Sequence, residues 1–159
     1  MTIRPDFLRK IVGRVNTAVG LLQQVPSYPR EKDNGYCTLA DAEDGRPLHI
    51  FQVGVCPPEK CLHRLELSQE KALRIVLHKK DEHVSSWQSR DKHLDRWGGA
   101  VLGKGMIVSF SGLPEDADEA VSLVVAVSCG WLTWPKADKI AITSGNAIYP
   151  HLRRLWTAR

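Results

Sequence analysis

No stretch of this chain stays apolar for the roughly 20 residues that a membrane span needs, so no spanning helix is expected. Cysteine is sparse: Cys37, Cys56, Cys61 and Cys129 stand at uneven spacing, which suits reduced thiols better than a disulfide framework. A strong charge of one sign is missing too, with 22 basic against 18 acidic residues and a net charge of +4. Basic pairs such as Lys79-Lys80 and Arg153-Arg154 are short and interrupted by acids. They read as solvated surface rather than as a nucleic-acid footprint. The first residues, Met-Thr-Ile-Arg-Pro-Asp, lack the basic-then-apolar order of a secretion signal, which makes a cytoplasmic protein the expectation. The aromatic share is only 7%, yet 43% of the chain is hydrophobic, enough for one domain with a single core over residues 1–159.

The best-specified stretch runs from Trp97 to Val121. Gly98-Gly99 opens it, Ala100-Val101-Leu102 is a short apolar run, and Gly103-Lys104-Gly105 offers the positive φ angles of a hairpin turn. Met106 to Ser111 is β-branched and aromatic enough for a second strand. Pro114 then suits a helix start, and Glu115, Asp116, Asp118 and Glu119 place negative charge at the positive end of that helix.

Residues 5 to 24 form an amphipathic pattern, with Leu8, Ile11, Val12, Val15, Val19 and Leu22 on one face. Tyr28 to Gly35 is a polar loop. Tyr36 to Ala42 and Leu48 to Gly54 are strand candidates joined across Asp44-Gly45, a hairpin signal. Val55 to His63 reads as a loop and Arg64 to Lys80 as a helix, with Leu65, Ala72, Leu73, Val76 and Leu77 inward and Glu70, Lys71 and Arg74 outward. Asp81 to Arg96 is polar and carries no periodicity. The helix from about Pro114 to Cys129 is apolar on nearly all sides beyond Ala120 and is expected to be buried. A short helix opens at Trp134-Pro135 and ends near Ser144-Gly145-Asn146, before a basic tail containing Trp156. Two hairpins and three main helices predict an α+β layered domain with a mostly antiparallel sheet.

Three segments in this order resemble the GlcG/HbpS-like family, described as haem-degrading or haem-binding. They are Leu39-Ala-Asp-Ala-Glu-Asp-Gly-Arg-Pro-Leu48, Ser68-Gln-Glu-Lys71-Ala72, and Gly98-Gly99 followed by Phe110-Ser111-Gly112 and Asp118. The Ser-Gly-Leu-Pro segment is most similar to an uncharacterised bacterial and fungal branch. The resemblance covers residues 36 to 129 and departs at Ser109, where a glycine is usual, and at Glu119, where that branch often has histidine. It implies a profilin-like α–β–α unit, assembly into a homo-oligomer, and in some members bound haem.

The candidate residues carry alternative readings. Lys71 could hold a carboxylate as a point charge beside Gly98 and Gly99, or it could form an ion pair with Asp118 or Glu119. Gly112 and Ser111, at a helix start, could bring the main chain close to an anion. Cys56-Pro57 could offer a thiolate to haem iron, with His63 on the other face, or simply be a loop turn. Cys56, Cys61 and His63 lack the fourth ligand and the tight spacing of a closed zinc site, so no metal is expected there. His78, His83 and His93 do not share a helical face and read as surface residues. No general base or activated nucleophile can be named. A small-molecule or haem-binding oligomer without turnover is therefore favoured over an enzyme acting on a small anionic or carbonyl substrate, or a structural assembly protein. Three large tryptophans near the end of the chain, Trp131, Trp134 and Trp156, point to a covered apolar patch and hence to the oligomer.

Overall fold

The computed structural model describes residues 2–159 and is an α+β layered domain. Helix α1 (Pro5–Leu22) leads into the hairpin β1 (Gly35–Asp41) and β2 (Pro47–Val53), and then α2 (Pro58–Leu77). The second hairpin follows as β3 (Ala100–Leu102) and β4 (Met106–Ser111), then α3 (Glu115–Ser128), α4 (Trp134–Ser144) and α5 (Tyr149–Thr157). The sheet order is β2-β1-β4-β3, antiparallel throughout, with Tyr36 opposite Ser111 and Ala100 opposite Ser109. Both hairpins lie where their turn residues place them; the expected positive φ is found at Gly105 but not at Gly103, and Gly45 has one as well.

Alternation along β4 divides the interior. Met106, Val108 and Phe110 enter a large core with Leu39, the inward face of α1 and most of α3. Ile107 points the other way and joins Ala40 and Ala100 beneath Ala72 and Ile75 of α2. Helix α3 lies against the sheet and is covered in turn by α1, α4 and α5, which is why it is apolar on nearly every side. Among the described residues, no helix is long and apolar enough to cross a membrane.

Helix α2 departs from its expected form. It starts at Pro58, six residues before Arg64, because Pro58 at the first helical position needs no N–H partner. Its buried face holds Ser68, Lys71, Ala72, Arg74 and Ile75, while Leu73 and Leu77 are exposed. The expected inward and outward faces are thus partly exchanged. The physical reason is hydrogen bonding: Arg74, 3% exposed, donates to the carbonyl oxygens of Ser86 (2.6 Å) and Trp97 (2.5 Å) and pairs with Glu70. These contacts stitch the polar segment to α2. That segment consists of short 3-10 turns at Lys79–Asp81, Ser86–Ser89 and Lys92–Leu94.

The basic tail forms a helix, and just before it Asn146 Oδ1 accepts from the Ile148 and Tyr149 amides. Nor do the three tryptophans form an open patch. Trp131 meets Phe7 edge-on, while Trp134 and Trp156 lie under Arg153 and Arg159. The exposed large apolar side chains include Val55, Leu62 and Ile142, and also Leu73 and Leu77 of α2, which line one depression with Leu94.

Candidate functional site

The site forms where the C-terminal end of β4 meets the starts of β3 and α3. Lys71 reaches it from α2 on one face of the sheet, and Asp118 from α3 on the other. Their charged atoms, Nζ and Oδ2, are 2.9 Å apart, and the side chains are 1% and 3% exposed. Lys71 Nζ also donates to the Phe110 carbonyl at 3.0 Å, so two of its three protons are directed inward. Asp118 Oδ1 accepts from the Leu113 amide at 3.0 Å. Burial pushes the Asp118 carboxyl up to about 6, against the opposing pull of Lys71 and the Leu113 and Gly112 amides.

Glycine makes the meeting possible. A Cβ on Gly99 (φ +134) would come within 2.8 Å of both Lys71 Nζ and the Asp118 Cβ, filling the gap through which the two side chains join. The Gly99 carbonyl accepts from Ser122 Oγ at 2.6 Å and from the Phe110 amide at 3.2 Å, which fixes the crossing. Gly98 donates its N–H to Glu115 Oε2, while Glu115 Oε1 takes Arg90 at 2.7 Å. Gly112 (φ +140) passes so close to Asn34 and Gly35 that a Cβ would lie 2.5 Å from the Asn34 carbonyl oxygen.

The ion pair lines the inner part of an open cleft of about 320 Å³, together with Ser111 and Gly112. Arg64, Leu67, Trp97 and Leu113 complete much of its wall, and His63 stands at its rim. Lys71, Ser111, Gly112 and Asp118 are thus brought together at one cavity, whereas Gly98 and Gly99 support it from behind. Of the two alternatives for Lys71, the ion pair to Asp118 is formed. Glu119 turns away and accepts from Ser85, Ser144 and Asn146 instead, tying α3 to its neighbours. Arg64 and Trp97 were not foreseeable from spacing. The one sequence signal for Trp97 was its place directly before Gly98-Gly99.

Each candidate haem ligand has another partner. Cys56 is buried before α2 and its Sγ accepts from Arg64 at 3.5 Å; burial raises its thiol pKa, the opposite of what a thiolate ligand requires. His63 is exposed and its Nε2 lies 3.2 Å from Asp95 Oδ2. Cys56 is not among the residues that line the cleft bordered by His63. Cys61 donates to the Cys56 and Pro57 carbonyls rather than joining His63. No family model, curated protein or solved structure matches the chain.

Proposed function

We propose that the protein binds a small organic anion or carbonyl compound in the Lys71–Asp118 cleft, as a binding protein rather than a catalyst. The observation that carries this reading is a buried ion pair, built from opposite faces of the sheet, lining an open cavity. A buried pair is a poor source of stability, and a perturbed carboxyl in a cleft is a functional-site signal. Two Lys71 protons are directed to protein oxygens, which leaves the third for a ligand oxygen. Arg64 adds positive charge to the wall, and Trp97, Leu67 and Leu113 give an apolar surface for the ligand's carbon skeleton.

Calorimetric titration with acetate, pyruvate and benzoate tests the proposal. At least one should bind with a heat and a change in tryptophan fluorescence, and Trp97→Phe should remove much of the optical change while keeping the heat. The charge-free double variant Lys71→Met/Asp118→Leu should stay folded and lose binding. Equal affinity in the double variant, or no heat with any of the three at millimolar concentration, would overturn the reading. Haem addition should give no Soret band dependent on Cys56; a band lost in Cys56→Ala would restore the family expectation.

The proposal extends to assembly as a homo-oligomer. What supports it is α2, where Leu73 and Leu77 join Leu94 around an open depression of about 430 Å³. Light scattering should show an oligomer for wild type and a monomer for Leu77→Glu. A wild-type monomer at micromolar concentration would rule this out.

A further inference from the structure

Helix α2 ends at Leu77, and the chain then folds tightly back on itself. His78 follows as the capping residue, Lys79–Asp81 makes one 3-10 turn, and Glu82 adopts a left-handed conformation with φ 56. A non-glycine residue takes that conformation at a cost, and here it reverses the chain so that His83 returns over His78. The two imidazoles stack with centroids 4.9 Å apart and planes 16° from parallel. Asp81 joins them, with Oδ2 3.2 Å from His78 Nδ1. Spacing of five residues would separate these histidines on a helix; the 3-10 turn and the left-handed residue place them together.

We propose that His78, Asp81 and His83 form a site for a divalent transition-metal ion, with zinc as the best fit. One ligand atom from each of the three residues lies within 4.8 Å of the others. Around a tetrahedral zinc, ligand atoms stand about 3.3 Å apart, a spacing the cluster reaches once the stacked rings turn out of parallel so that both nitrogen lone pairs point at one ion. His78 and Asp81 are already at that separation. His83 supplies an independent pointer: its Nδ1 is shielded from solvent and has no hydrogen-bond partner among the described residues. A buried imidazole nitrogen is expected to be satisfied, and a metal ion would satisfy this one. Two imidazoles and one carboxylate are a borderline donor set that suits zinc above magnesium or calcium, with water in the remaining position. The carboxyl end of the 20-residue α2 presents the negative end of its dipole to the same place. The site is separate from the anion cleft, whose lining includes none of the three residues.

Titration of the full chain with Zn²⁺ alone, followed by calorimetry, tests this assignment. The expected result is uptake of one ion, weakened about tenfold or more in each of His78→Gln, His83→Gln and Asp81→Asn. Asp81 is exposed, so its variant keeps the test valid if either histidine variant loses the fold. His93→Gln, a surface histidine outside the cluster, should bind as wild type does. Unchanged affinity in Asp81→Asn and the folded histidine variants would overturn the proposal, as would no uptake by wild type. Substitution with Co²⁺ guards against binding at Cys61 or Cys129: a thiolate-to-cobalt charge-transfer band would place the metal on cysteine and also overturn it.

Discussion

Helical periodicity places Lys71 on the outward face of α2, and its burial at 1% exposure reverses that reading. Truncating one member of a buried pair leaves the other charge unpaired, at a cost of about 3–5 kcal/mol. Lys71→Ala should therefore melt far below wild type, while Lys71→Met/Asp118→Leu should lie closer to it; equal melting of the single variant and wild type would contradict the burial argument. Asp118 adds a pH dependence. Burial raises its carboxyl from 3.8 to about 6, so the folded protein holds a proton that the unfolded chain has already released. Raising the pH from about 4 to about 6 then costs stability from this group, and above about 7 the loss is complete. Denaturant melts at stepped pH, taken as wild type minus the double variant, should show a difference that falls across that window. A difference that rises would mean that the ion pair, rather than desolvation, governs this carboxyl.

The two hairpins and α3 are legible in the sequence because their signals are local: Asp44-Gly45, Gly103-Lys104-Gly105, and an acidic run after Pro114. Helix α2 is less so. Periodicity counts Lys71 and Arg74 as outward, but long-range bonds to Phe110, Asp118, Ser86 and Trp97 draw them inward, while Leu73 and Leu77 are left exposed. No local pattern contains those partners. The same limit explains why the Lys71–Asp118 pair was visible only as one option, and why His78 and His83 looked unrelated. The joint at Gly112 was legible, and its cost can be measured. Conformation alone penalises a side chain there by about 1–3 kcal/mol, and the Asn34 carbonyl 2.5 Å from the added Cβ allows no relief without backbone movement. Gly112→Ala should thus destabilise the protein strongly. Gly13→Ala on α1, with open space around the added carbon, should instead stabilise by up to about 1 kcal/mol. Paired thermal melts of the two variants check both signs, and equal shifts would show that the strand-to-helix joint is not the constraint.

Across the whole molecule the two faces of the sheet are unequal. One carries α1, α3, α4 and α5 over a core that includes Phe110, Leu123, Leu22 and Leu152. The other carries α2 over a small cluster of Ala40, Ala72, Ile75, Ala100 and Ile107, supplemented by polar ties such as Thr38 to Ser68 at 2.7 Å. Apolar burial scales with area, so α2 and the segment it anchors through Arg74 have less to hold them than α1 and α3. Regions with few apolar contacts open at lower free energy than the global transition. Native-state hydrogen exchange should therefore show α2 and residues 78–99 opening together, before the amides of β1, β4 and α3. The Lys71–Asp118 pair bridges these two units, so a ligand bound to both its sides favours the closed arrangement and must slow exchange in α2 more than in α1. Uniform exchange across α2 and α3 would contradict the division into a weaker and a stronger layer. A ligand that protects both helices equally would remove the link between the cleft and that division, while leaving binding itself intact.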